Sequence, residues 1–313
     1  MKTFLRTLLV VCSISVALLF GGEPVFSQQQ QKEDSSGAPI FLWQIEKDNV
    51  PVISYLCGSI HMMKEDFYPL PEPMVHAFAE SEYIAVEFDA AAADMDAAGA
   101  MLARGTYQDG STLADHIPEK LYKKLETVLN GLGMPIEVVQ QFKPWVAANL
   151  ISALRLEQAG FRAELGLDMY FLDRARGREK EILELESADS QFELFDTMSE
   201  QLQTALLRDA LTEQEQFTEE LDQLAMSWKN GDTESMARLL EIDKERAEDL
   251  PEEQKELNEL LLYRRNREMA EKIDQFISES KKLFVVVGAG HLVGPKSIVE
   301  YLEKRGYACE QFE

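Results

Sequence analysis

The chain is poor in the residue types that usually carry specialised chemistry. It holds 3 cysteines, 3 tryptophans and 4 histidines in 313 residues. Three cysteines are too few for a disulfide framework, so the fold has to rest on a hydrophobic core. Basic residues are scarce too: 31 Lys and Arg stand against 56 Asp and Glu, a formal net charge of -25. A surface this acidic repels phosphate backbones, which excludes nucleic acid from the expected partners. Long apolar runs are missing beyond the N-terminus, so no stable membrane span is expected after that segment is removed.

The N-terminal run reads as a targeting segment. Lys2 and Arg6 precede an apolar stretch from Thr7 to about Phe20, too short for a span. Val25 and Ser27 fit the small-residue pattern before a cleavage site, so residues 1–27 are expected to be a signal peptide. Cys12 follows Val11 rather than a small residue, which argues against a lipid-modified cysteine. Residues 28–39, polar and repetitive, read as a disordered leader. Residues 40–313 are then expected to form a single domain, periplasmic or secreted, with an oligomer possible. Cys57 and Cys309 remain. Each lies in or beside a predicted strand, and both a bridge across the sheet and two buried thiols suit that placement.

Strand patterns cluster at the two ends of the chain. "PIFLWQIEKDNVPVISYLCGSIH" predicts a hairpin, with strands near 41–45 and 52–57 and a turn at Asp48-Asn49. A helix should start near Pro71 or Glu72. "YIAVEFD" predicts a strand whose alternation places Tyr83, Ala85, Glu87 and Asp89 on one face. Residues from about 90 to 280 are mostly of helical period, with "KEILELES" as a short strand. "LFVVVGAGH" predicts a buried strand, "PKSIVEYLEKRG" a helix and "YACEQF" a final strand. The fold class is therefore α/β, or α+β by proportion. Its central mixed sheet is formed by two duplicated strand–G-x-x-H–helix–strand units, at 52–89 and 283–312, with a large helical insertion between them.

That duplication bears on the histidines. His61 and His291 each end an apolar run at the fourth position of a G-x-x-H. If both units share one sheet, both loops lie outside the carboxyl ends of the strands, where ligands bind in α/β folds. Imidazole is the commonest metal-binding side chain. Glu87 closes the next strand, and two histidines with one carboxylate are a familiar open ligand set for a divalent metal. His76 and His116 read as structural or exposed. "RRNRE" offers Arg264, Arg265 and Arg267, of which Arg265 lies closest in angle to the apolar face. The glycine cluster fits neither a dinucleotide fingerprint nor a phosphate loop, because its spacing is wrong for both. Cys57 with His61 makes a conceivable nucleophile pair, but mid-strand cysteines are usually buried.

These segments resemble the TraB/PrgY/GumN family, whose animal branch is the Tiki proteins. "YLCGSIHMMKEDFYPLPEPMVHAFAESEYIAVEFD" resembles the opening block and "GLDMYFLDRARGREKEILELES" the middle block. "RRNREMAEKI" resembles the arginine-asparagine helix, and "FVVVGAGHLVGPKSIVEYLEKRGY" the closing block. The resemblance implies a site of His61, His291, Glu87 and Arg265, with His61, Glu87 and His291 as metal ligands. It also implies Glu87 and Arg265 in catalysis, and a divalent metal such as Mn, Co or Zn. Asp89 and Glu186 are reserve candidates for the general base. Arg264 stands where many relatives carry an acid, which leaves Arg264 and Arg265 as alternatives for the inward residue. The expected function is a metal-dependent hydrolase, metalloprotease-like, acting on a peptide or small-molecule substrate. The alternative is a non-catalytic protein that binds a ligand or metallo-cofactor in the same pocket.

Overall fold

The computed structural model describes residues 39–89, 99, 103–187, 190, 193–195, 197–242 and 250–313. The expected signal peptide and all of the expected leader but its last residue lie outside them. Six strands form one sheet: β1 (Leu42–Lys47), β2 (Ser54–Ser59), β3 (Tyr83–Val86), β4 (Glu181–Glu184), β5 (Leu283–Gly288) and β6 (Tyr307–Gln311). Their spatial order is β4-β3-β5-β2-β1-β6. β1 runs antiparallel to β2 and β6, while β2, β5, β3 and β4 are mutually parallel. The sheet is mixed and the class α/β, as the pattern of elements predicts.

The hairpin turns at Asp48-Asn49, where the Val50 N–H donates to the Lys47 carbonyl at 3.1 Å. Asn49 takes the left-handed conformation (φ 67°) that asparagine tolerates. From β2 the chain passes through helix α1 (Glu72–Glu80) to β3, and from β5 through a short terminal helix, Ile298–Glu303, to β6. The two units do not sit side by side. They interleave: β5 slots between β2 and β3, and β6 crosses to the far edge beyond β1. Gly58 pairs with Val287 and Ser59 with Gly288, so the carboxyl ends of β2 and β5 are neighbours. Every residue of β2 and β5 is buried, as expected of central parallel strands covered on both faces.

Between the units lie α2 (Glu119–Gly131), α3 (Pro144–Gln158), α4 (Leu167–Gly177), α5 (Glu200–Ala210), α6 (Gln214–Lys229), α7 (Thr233–Leu239), α8 (Glu252–Asn258) and α9 (Arg264–Ser278). The terminal helix is α10. Proline opens α3 in its first turn, where no N–H partner is needed. The insertion is not all helix, because its strand β4 pairs with β3 and extends the sheet. α3 packs against α5, and buried Arg155 reaches across to donate to the Ala210 carbonyl at 2.9 Å. Among the described residues no helix is long and apolar enough to cross a membrane.

One expectation needs correction, and one left open is settled. β3 ends at Val86 rather than continuing to Asp89, so the alternation does not carry Glu87 and Asp89 to the same place. Cys57 and Cys309 are both free thiols. Their strands flank β1, two interstrand spacings or roughly 9–10 Å apart, beyond the reach of a disulfide.

Candidate functional site

His61 lies two residues past the end of β2. Gly58 is needed there: a Cβ would sit 2.9 Å from Cδ1 of Phe41 and 3.2 Å from the Ala289 Cα, in the loop that carries the second histidine. The His61 loop is held from outside by the chain between α3 and α4. Met63 donates its N–H to Arg162 O at 3.1 Å and Arg162 returns the bond at 2.8 Å. The Leu167 N–H donates to Ile60 O at 3.1 Å. The first turn of α4 then brings Asp168, whose Oδ1 lies 3.0 Å from His61 Nδ1. An ionised carboxylate only accepts, so Nδ1 carries the proton. His61 Nε2 is left buried, with no hydrogen-bond partner among the described residues.

His291 closes a single 3₁₀ turn, Ala289–His291, directly after β5. Its Nδ1 lies 2.5 Å from Asn266 Oδ1. The Asn266 amide is itself oriented, because its Nδ2 donates to Lys296 O at 2.8 Å. His291 Nδ1 is therefore the donor, and its Nε2 is again buried and unpartnered among the described residues. Both histidines follow the arrangement of metal-binding imidazoles, in which one nitrogen is tied to an oxygen and the other is left bare.

Glu87 and Glu186 lie side by side, because the β3–β4 pairing continues past the strand ends. Leu185 donates its N–H to Val86 O at 2.8 Å, and Glu186 to Glu87 O at 2.7 Å. Two buried carboxylates at this spacing need a cation, and Arg265 supplies it. Its Nη2 donates to Glu87 Oε2 at 2.7 Å and to Glu186 Oε2 at 2.6 Å, while Nε donates to Glu186 Oε1 at 2.8 Å. Nη1 donates to Leu261 O at 3.1 Å. Glu87 Oε1 accepts the Gly288 N–H at 2.7 Å and lies 3.7 Å from His291 Nε2.

A π-helical turn, Glu259–Tyr263, joins α8 to α9. Its wider winding shifts the face that follows, and the consecutive pair Arg265 and Asn266 both turn inward, each 1% exposed. Arg264 faces solvent and meets Glu268 at 3.9 Å. Arg265 is the inward arginine.

Electrostatics make the two imidazoles unlike. Burial works against a charged His61, but the adjacent Asp168 carboxylate, helped by Glu87, outweighs it and raises the pKa above the ordinary 6.5. At His291 burial, then Arg265, then His61 all act in one direction and hold the pKa well below 6.5. These same effects make His61, His291, Glu87 and Arg265 electrostatic neighbours. Glu87 and Glu186 share one guanidinium, and the further carboxylate of Asp168 lies against His61, so acidic groups outnumber Arg265 among the partners of these side chains.

Whether a metal fits can be judged from the donors. Two buried imidazole nitrogens are without partners, and one carboxylate oxygen is 3.7 Å from one of them. Two donors on one tetrahedral ion at ~2.1 Å stand roughly 3.4 Å apart, so the spacing of His291 Nε2 and Glu87 Oε1 suits one ion. Among the described residues no group of three or more His, Cys, Asp or Glu side chains is placed to hold a metal ion.

Other candidates fall elsewhere. Asp89 is bound by Arg176 through both oxygens, at 2.5 and 2.6 Å, and Glu186 clamps Arg265, so neither reserve base is left uncommitted. Burial, and then the charge of Asp168, push the Cys57 thiol far up, which removes it as a nucleophile. His76 is exposed near Glu80, and His116 stacks on Tyr107 beside Glu200. Sequence reading missed the partners Asp168 and Asn266. Both residues stand in segments singled out from the sequence, "GLD" of the middle block and "RRN" of the arginine helix, but nothing local ties either to a histidine.

Comparison with known proteins shows the family of the chain. The TraB/PrgY/gumN family matches residues 41–311. Uncharacterized protein YbaP of Escherichia coli (strain K12) is 25% identical over 248 residues, covering 79% of this chain and 87% of YbaP. Metalloprotease TIKI1 of Danio rerio is 23% identical over 316 residues, covering 86% of this chain and 62% of that protein. Metalloprotease TIKI1 of Homo sapiens is 21% identical over 335 residues, covering 92% and 65%. No solved structure matches significantly. The matched span takes in β1 through β6, both histidine loops and the arginine helix, and the chain belongs to the TraB/PrgY/gumN family.

Proposed function

We propose that this protein is a divalent-metal-dependent hydrolase, peptidase-like, acting in a periplasm or as a secreted protein on a peptide or small-molecule substrate. The observation that carries the reading is the pair of buried, unpartnered Nε2 atoms on His61 and His291. Bare imidazole nitrogens in a protein interior are costly unless something binds them. The similarity to metalloproteases supports the same reading.

His61 and His291 would hold the ion, Mn, Co or Zn, through Nε2. When bound, such an ion lowers the pKa of its water and polarises the scissile carbonyl. Glu87 is the nearest carboxylate to His291 and offers Oε1, either as a third donor or as acceptor of the water proton. Arg265 holds Glu87 in place through the Nη2–Oε2 bond. With four of its five N–H donors on Glu87, Glu186 and Leu261 O, it acts as an orienting group for Glu87.

Elemental analysis of His61→Ala and His291→Ala tests the site. Each variant should fold and lose its metal, and full metal content in either would sink the shared site. Glu87→Gln separates the two roles of that residue: lost metal marks a donor, retained metal with lost cleavage marks a proton acceptor. Cleavage of a mixed peptide library that depends on added Mn or Co is the expected activity.

A further inference from the structure

We propose that Asp168 and Asn266 are positioning residues for the two histidines, fixing both imidazoles as the Nδ1–H tautomer so that both Nε2 lone pairs stay bare. The inference rests on the metal-site reading above and extends it to residues outside the ligand set. Three observations carry it.

The first is hydrogen-bond chemistry. The groups facing the two Nδ1 atoms are a carboxylate oxygen at 3.0 Å and an amide oxygen at 2.5 Å. The amide presents oxygen and not nitrogen because Asn266 Nδ2 is committed to Lys296 O at 2.8 Å. Neither oxygen can donate, so each imidazole must place its proton on Nδ1.

The second is the way Asp168 is delivered. The segment from Arg162 to Asp168 grips the His61 loop by three backbone bonds, two at Met63 and one at Ile60. Gly166 lies under His61 itself, and a Cβ there would sit 2.3 Å from the His61 carbonyl oxygen. Only glycine allows this approach. Gly166 and Asp168 thus act together, one permitting contact with the loop and the other setting the ring.

The third is the origin of the two partners. Asp168 comes from the start of α4 and Asn266 from α9, both in the insertion, whereas both histidines come from the duplicated units. The ligand loops are repeated and their holders are not. One holder is charged and the other neutral, so the two rings are held alike and polarised differently.

The test uses the full chain, metal-free and ¹⁵N-labelled, with long-range ¹H–¹⁵N correlation of the histidine side chains. In the wild type, at a pH high enough for His61 to be neutral, His61 and His291 should both show the Nδ1–H tautomer. An Nε2–H tautomer at either one overturns the proposal without any variant. Asp168→Ala should release the tautomer at His61 alone, and Asn266→Ala at His291 alone. Asp168→Asn, which can still accept a hydrogen bond, should retain it. Affinity for Zn or Mn alone, measured by chelator competition, should fall about 10–100-fold in each alanine variant with the number of sites unchanged. Tautomers and affinities like the wild type in both alanine variants would overturn it. A wild-type protein that takes up no divalent metal removes the metal reading, while the tautomers still decide the positioning roles.

Discussion

The loop carrying His61 and the loop carrying His291 begin alike and are finished differently. Each leaves a buried parallel strand through glycine and ends in a histidine whose Nδ1 is tied to an oxygen. The first is gripped by the chain before α4 and faces the Asp168 carboxylate. The second is fully buried and faces the neutral Asn266. Burial opposes charge at both, yet His61 titrates above its ordinary value and His291 far below. A repeated motif therefore does not make repeated chemistry. The character of each histidine is set by what the insertion places against it.

The largest effect should come from removing the cation behind the second loop. Arg265 binds Glu87, and Glu87 in turn accepts the Gly288 N–H that opens the second loop. Arg265→Met leaves two carboxylates buried without their cation, and denaturant unfolding should show a loss on the order of 3–5 kcal/mol. A stability like the wild type would mean that the two carboxylates do not depend on the guanidinium.

A smaller effect is expected where the loops touch. Gly58→Ala drives a methyl group against Phe41 and the Ala289 backbone. Backbone cannot yield as a flexible side chain can, so the cost should be about 1–3 kcal/mol by the same measurement. Metal affinity should fall with it, since the displaced backbone carries His291.

The pH dependence of the metal-free protein sharpens the contrast. His61 binds its proton more tightly folded than unfolded, so its stabilising contribution is full below about pH 6.5 and is lost as pH rises through its raised value. His291 binds its proton less tightly folded, so stability falls as pH drops below about 6.5. Unfolding profiles of His61→Gln should lose the alkaline decline, and those of His291→Gln the acidic one. Matching changes in both variants would show that the two sites are not distinct. The smallest effect belongs to His76, which is exposed and remote from both loops. His76→Ala should leave melting temperature and metal content unchanged.

Much of this was legible in the sequence, for reasons visible in particular residues. Leu283 to Val287 and the run before Gly58 are continuous apolar segments cut by glycine, which is how buried parallel strands that end at a site are written. Glu87 and Arg265 were legible as polar residues set among apolar ones. The end of β3 was not, because alternation in "YIAVEFD" continues in the sequence past Val86, where the regular strand ends. Asp168 was hidden for another reason. At the first turn of an amphipathic helix an aspartate is ordinarily read as a helix-end charge, and nothing local shows a histidine loop packed against it.

By itself, the sequence determined the strands, the glycine turns and the candidate histidines, because period, apolar run and turn residue are properties of short segments. Only the tertiary structure decided the interleaved strand order, the clamp of Arg265 between two carboxylates, and the holders Asp168 and Asn266. Those depend on contacts between segments far apart in the chain, where the packing of one element against another selects the partner and local pattern carries no information about it.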